Sequence, residues 1–306
     1  MTRLRHSDSA YLRQMQMSQT QLFVFVEGKR CDPYFYGAIC GEAIGDRVRY
    51  EVVQASQLPG GAGGKKALLG FFSYLRRNSA LFSSFKGADT AAVFFCDKDL
   101  DDLTRARLRS RHLVYTEHYS VENYVFLHGD LTRGASSAAS VDPLRLAGRI
   151  GDAAAWCKRI AFLWSDWLAL CLYMAREGAT CEANYSVLSK VQTRLCGPTD
   201  QAKYDELVAD LAGRAGTPLE EFRAAVVRVG RKVRRYCRAG KHHKIFNGKW
   251  FEAVLADEVN CIMAGSPYDG GHVSGRLGAC VAGTIGFADV WAEHFKRRLR
   301  EIVARL

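Results

Sequence analysis

Carboxylates placed just beyond apolar runs are the first chemistry this sequence offers. Glu27 follows Leu22-Phe-Val-Phe-Val26, and Asp97, Asp99 and Asp101 follow Ala91-Ala-Val-Phe-Phe-Cys96. Both runs are short, wholly apolar and rich in β-branched and aromatic residues, the pattern of strands buried on both faces of a parallel sheet. Ligands of open parallel sheets bind beyond the carboxyl ends of the strands, which is where these acids stand. If residues 97–101 continue extended, Asp97, Asp99 and Asp101 share one face and Lys98 points off it. Acids converging from neighbouring strands repel one another, and a hard divalent cation relieves the repulsion. Mg²⁺ (or Mn²⁺) suits a few carboxylates, with waters and substrate phosphates completing its shell. The competing reading makes Asp97-Lys-Asp-Leu-Asp-Asp102 the solvated start of a helix, where acids favour the helix dipole.

Other chemistries are weaker. The loop Pro59-Gly-Gly-Ala-Gly-Gly64 before Lys65 and Lys66 is not a phosphate-binding P-loop, which needs Gly at 59 and Ser or Thr at 66. Lys65 is instead a candidate contact to a backbone phosphate. The Asp97-x-Asp99-x-Asp101 spacing opens like a calcium loop, but Asp102 and Leu108 occupy its sixth and twelfth positions. Cys237, His242 and His243 have no second cysteine pair to complete a zinc site. Neither a serine elbow nor a Ser-His-Asp or Cys-His signature stands out. Lys29 is a candidate phosphate-facing lysine or an ordinary surface one, and Glu122 is a candidate third acid near the metal. Trp156, Trp164 and Trp167 at helical spacing read as core packing before they read as a base-stacking platform.

Forty-three Lys and Arg against 32 Asp and Glu leave a net charge of +11, which favours a polyanionic partner. The densest basic tract, residues 228–244, includes Arg231, Lys232, Arg234, Arg235, Arg238, Lys241 and Lys244. With Lys249 these are candidate phosphate contacts; a solvated helix face and a docking surface for an acidic subunit are the alternatives. The basic C-terminal stretch puts Phe295, Leu299, Ile302 and Val303 on one face, which suits a partner as well as intramolecular packing.

The elements that must position these residues follow from the pattern. Further strands are expected at 50–54, 112–115 and 124–127. Helices are expected at 33–44, with Asp32 as N-cap, and at 65–81. Residues 132–140 are small and polar and read as a linker. Beyond them, helical periodicity covers 142–174, 200–211, 218–239 and 287–306. The expectation is an α/β protein: a Rossmann-like, mainly parallel sheet domain over residues 18–130, then a mostly helical, basic domain over 131–306 that binds nucleic acid or a partner. A composition 48% hydrophobic and 25% charged excludes disordered and fibrous classes. Ten scattered cysteines without a CxxC pair fit a reducing cytosol. The basic first residues lack an apolar signal core, and the apolar stretch 160–175 is broken by Asp166 and too short to span a bilayer. A cytoplasmic, membrane-free protein is expected.

Three stretches carry a family resemblance. Val26-Glu-Gly-Lys29 opening VEGKRCDPYFY, the acid cluster CDKDLDD (96–102) and TEHYSVENYVF (116–126) together resemble the Toprim domain of topoisomerases, primases and overcoming-lysogenization-defect nucleases. More narrowly they look like the AriB-type effectors of PARIS anti-phage systems, and Gly248-Lys249 in HHKIFNGKWF is similar to that group's C-terminal region. The resemblance implies Glu27 as acid/base carboxylate or metal ligand, Asp97 and Asp99 as Mg²⁺ ligands, and Glu122 as an accessory acid. It also implies a nuclease with transfer RNA favoured over DNA, restrained by an ABC-type ATPase partner and dimeric when free. Asp101 and Asp102 make the cluster denser than a bare DxD, so which acids touch metal stays open. The alternatives are a DNA nuclease, a haloacid-dehalogenase-like phosphatase, for which Asp101 stands where Thr or Val is expected, and a nonenzymatic nucleic-acid-binding subunit.

Overall fold

The run Leu22–Val26 forms β1, buried along its whole length and paired in parallel with β2 (Tyr50–Gln54) on one side and with β4 (Ala88–Cys96) on the other. A short antiparallel strand, β3 (Phe82–Phe85), covers the first half of the far edge of β4, and β5 (Leu113–Tyr115) pairs in parallel with its last residues. The chain is thus α/β, with four parallel strands and one antiparallel strand in a five-stranded sheet. The computed structural model describes residues 7–61, 63–104, 107–264 and 273–306, apart from the side chains of residues 102 and 104. Expectations placed on residues 1–6, Ala62 and the Asp102 side chain lie outside these. Among the described residues the chain divides into two compact units: Met1–Lys98, Ala106–Glu117 and Gly286–Leu306 in one, Asp99–Arg105 and His118–Ile285 in the other. This differs from the expected contiguous division at 130/131.

In the α/β unit, successive residues of β4 send their rings to opposite faces, as a pleated strand must. Phe94 stacks on Phe25 at 4.7 Å and meets Phe72 at 5.3 Å on α3 (Gly64–Arg77). That face also carries Met15 of α1 (Asp8–Met17) in its core. Phe95 turns the other way, stacking on Tyr36 of α2 (Asp32–Ile44) at 4.4 Å and meeting Phe295 of α14 (Glu293–Val303) at 5.8 Å. The C-terminal helix therefore belongs to the α/β unit, because its aromatic face covers this side of the sheet. Two details depart from expectation. Asp32 is the first residue of α2, with Cys31 at the N-cap position. The helix expected over 65–81 stops at Arg77, and β3 follows, joined to β4 by Lys86 and Gly87. Both turn residues have positive φ, 50° and 79°, as a two-residue hairpin of primed type requires.

The second unit is built from helices: α4 (Asp101–Thr104), α5 (Val121–His128), α6 (Leu131–Ala139), α7 (Leu144–Ile150), α8 (Ala153–Leu163), α9 (Ser165–Arg176), α10 (Gln201–Arg214), α11 (Leu219–Arg238), α12 (Gly248–Met263) and α13 (Leu277–Ala282). Two expectations fail here. Residues 124–127 are helical within α5, because Ser120 and Asn123 close a reciprocal capping box at its start. Residues 132–140 are α6 instead of a linker. Asp130 caps that helix by accepting the Arg133 N–H, and its small residues serve close packing: a Cβ at Gly134 would lie 2.6 Å from Val281 Cγ2 of α13. Trp156, Trp164 and Trp167 are core, each about 1% exposed or less. The apolar stretch 160–175 is divided between α8 and α9 at Trp164. No described helix is long and apolar enough to cross a membrane.

Candidate functional site

The parallel register places Val26 opposite Phe95, so Glu27, the first residue after β1, comes beside Cys96, the last residue of β4. Glu27 Oε2 accepts the Asp97 backbone N–H at 3.3 Å and lies 3.6 Å from the Cys96 thiol. The Glu27 carboxylate is thus set against the Asp97 backbone at the neighbouring strand tip, with Asp97 buried and Glu27 half-buried. The turn carrying Asp97 is fastened from three sides. Thr116 N–H donates to the Cys96 carbonyl at 3.0 Å, and Thr116 Oγ1 accepts the Lys98 N–H at 2.8 Å. Lys65, in the first turn of α3, donates Nζ to the Asp97 carbonyl at 2.6 Å and to the Lys98 carbonyl at 3.4 Å.

The glycines of this region have identifiable reasons. Gly28 N–H donates to Asp32 Oδ2 at 2.7 Å, and a Cβ at Gly28 would fall 2.5 Å from Asp32 Oδ1. The glycine after Glu27 therefore lets a carboxylate wrap the β1–α2 connection. Gly60, Gly61, Gly63 and Gly64 all have positive φ, between 61° and 93°, so the loop leading into α3 uses backbone that other residues rarely adopt. That loop sets where Lys65 begins.

The expected extended run through residues 97–101 does not occur. Pairing of β4 ends at Cys96, Asp99 takes a left-handed φ of 50°, and α4 begins at Asp101. Aspartate tolerates that conformation better than most residues. The alternation that was to put three aspartates on one face is therefore broken, and Lys98 is buried. Asp99, whose N–H donates to the Tyr119 carbonyl at 2.8 Å, belongs with buried Asp101 and with Glu122 to the helical unit. Glu122 sits in the first turn of α5, and its buried Oε2 has no hydrogen-bond partner among the described residues.

Two other motifs meet inside the helical unit. Asn123 Nδ2 donates to the Phe246 carbonyl at 3.0 Å, and Asn123 Oδ1 accepts the Ser120 N–H at 2.9 Å. A Cβ at Gly248 would lie 2.5 Å from the Asn123 backbone nitrogen. The Glu-Asn-Tyr and Asn-Gly-Lys signals thus mark one packing contact. Lys249 follows, exposed, at the start of α12, and Lys29 is exposed beyond β1.

On α11, Val226, Val229, Val233 and Cys237 face the core, which leaves Arg231, Lys232, Arg235 and Arg238 exposed. Arg234 departs from this pattern: its guanidinium pairs with Asp166 at 2.9 Å. Lys241 and Lys244 are exposed beyond the helix, but His242 between them is buried, with neither ring nitrogen hydrogen-bonded among the described residues. Burial, with Lys158 nearby, pushes the His242 pKa down to about 4.

A further group escaped the sequence reading. Cys196 Sγ lies 3.7 Å from Cys261 Sγ, and Asp257 Oδ2 accepts the Cys196 N–H at 2.9 Å. Donor atoms of these three residues all lie within 4.8 Å of one another. Burial, and then the neighbouring Asp257 and Cys261, push the Cys196 thiol up to about 12. The four-residue spacing of Asp257 and Cys261 on a helix was visible in the sequence; their loop partner, 61 residues before Asp257, was not.

No family model matches the chain, and no curated protein matches it.

Proposed function

We propose that this protein is a Mg²⁺-dependent nuclease of the Toprim type. The observation that carries the reading is the meeting of Glu27 and Asp97 at adjacent parallel strand tips, with a Glu27 carboxylate oxygen 3.3 Å from the Asp97 nitrogen. Two hard oxygen donors at the carboxyl edge of a sheet fit Mg²⁺, which binds through one or two carboxylates plus water and substrate phosphates. Glu27 and Asp97 would hold the ion, and Asp99, two residues further along the chain, is the third acid that the resemblance nominates. Bound there, Mg²⁺ supplies positive charge against the phosphoryl oxygens as a phosphodiester is cleaved.

The chain's own residues do the rest. Glu27 has a carboxylate able to hold or release a proton at Oε, and Lys65 fixes the backbone on which Asp97 is presented. In this reading Lys65 acts as a positioning residue. The exposed face of α11, with Arg231, Lys232, Arg235 and Arg238, supplies charge for a polyanion. The Toprim resemblance, narrowed to the AriB-type effectors, extends the proposal to transfer RNA as substrate and to an ABC-type ATPase that restrains the enzyme.

The test is cleavage of transfer RNA and of plasmid DNA by the purified full chain, with and without Mg²⁺. Transfer RNA should be cut only with Mg²⁺, and Glu27→Gln and Asp97→Asn should each lower the rate by ~10²–10⁴-fold while leaving the melting temperature near that of the parent. Cleavage of plasmid alone would move the substrate to DNA. Cleavage undiminished in both variants would remove the nuclease reading and leave a nucleic-acid-binding protein.

A further inference from the structure

Between α9, which ends at Arg176, and α10, which begins at Gln201, the described chain runs through residues 177–200 with no helix or strand. An irregular connection this long inside a packed unit calls for anchors. Two lie near its end: Trp164 Nε1 donates to the Leu195 carbonyl at 2.8 Å, and Cys196 N–H donates to Asp257 Oδ2 at 2.9 Å. Together they hold the Cys196 sulfur 3.7 Å from that of Cys261. Asp257 and Cys261 stand one helical turn apart on α12 and so share a face. Arg194 completes the cluster by donating to Cys261 Sγ at 2.9 Å.

We propose that Cys196, Asp257 and Cys261 bind one Zn²⁺ ion that clamps the 177–200 connection to α12. The donor set selects the metal. Thiolates are soft ligands that favour zinc, whereas Mg²⁺ takes oxygen, so this site is separate in chemistry from the Glu27–Asp97 pair. The charges also suit it: two thiolates and a carboxylate around Zn²⁺ carry one net negative charge, and the Arg194 guanidinium balances it. Binding releases the two thiol protons to solvent and involves no electron transfer. Three protein ligands leave the fourth tetrahedral position to water, which the half-buried setting of all three residues admits.

The experiment measures metal in the full chain purified under reducing conditions, then exchanges it for Co²⁺. One zinc per chain is expected, and the cobalt form should show sulfur-to-cobalt charge-transfer absorption in the near ultraviolet. Cys196→Ser and Cys261→Ser should each lose most of that band, and Asp257→Asn should surrender its zinc to a chelator that leaves the parent loaded. Glu27→Gln should keep its zinc, which makes this outcome independent of the nuclease reading; loss of zinc in that variant would assign the ion to the other site and overturn the proposal. A parent chain with no cobalt band overturns it as well, even if a cysteine variant fails to fold. So does a Cys196–Cys261 disulfide found by peptide mapping in metal-free protein.

Discussion

At the scale of single residues, the acids were readable because strand ends are readable. An apolar run that stops at Val26 or Cys96 fixes the next residue at the edge of the sheet, and the carboxylate follows. Lys65 was not readable in the same way. Its partners are two backbone carbonyls 32 and 33 residues away, and nothing in a lysine's neighbours announces a carbonyl. The buried His242 gives a prediction of its own. An imidazole in the unfolded chain takes up its proton near pH ~6.5, whereas the folded one resists until about 4. Between those values the unfolded state binds the extra proton, so stability falls as pH falls through that window, by ~3 kcal/mol at its end. Denaturant unfolding at steps from pH 7 to pH 4 should show this loss, and His242→Gln should reduce the slope. An identical slope in the variant would assign the loss to other groups. Gly248 offers a second test. Gly248→Ala forces a methyl against the Asn123 nitrogen and should cost ~1–3 kcal/mol in urea unfolding, as overpacked positions do.

At the scale of elements, what the sequence hid was mostly helix made of small residues and strand made of polar ones. The stretch 132–140 looked like a linker because its composition is that of one, yet Gly134 is small so that α6 can lie against Val281. β3 carries Ser83 and Ser84 at a half-covered edge, so it lacks the apolar signature that revealed β1 and β4. α11 was legible because its valines recur at helical spacing beneath a basic face. That face makes a prediction that belongs to the whole helix. Replacing Arg231, Lys232, Arg235 and Arg238 with Gln should weaken binding to transfer RNA and flatten its dependence on salt, by ~0.7–0.9 in log–log slope for each phosphate that is no longer neutralised. A fluorescence-anisotropy titration at several salt concentrations measures the slope. An unchanged slope would make the face a solvated or protein-docking surface. Arg234 belongs outside that set, because its pairing with Asp166 ties α11 to the start of α9.

At the scale of the molecule, alternating strands and helices made the fold class legible, and the order of the chain misled about its division. A sequence read from left to right suggests one domain after another. The α/β unit instead takes back Gly286–Leu306 after the chain has built the helical unit. The signal for this was present as the apolar face of residues 295–303, which sequence alone could assign to a partner as readily as to the sheet. Phe295 decides it by packing on Tyr36 and Phe95. This arrangement bears on synthesis. Until residues 293–303 are made, Phe95 and Tyr36 have each other but lack the Phe295 ring that packs on both. The sheet that carries the acids is thus completed by residues made only after the whole helical unit has been synthesised.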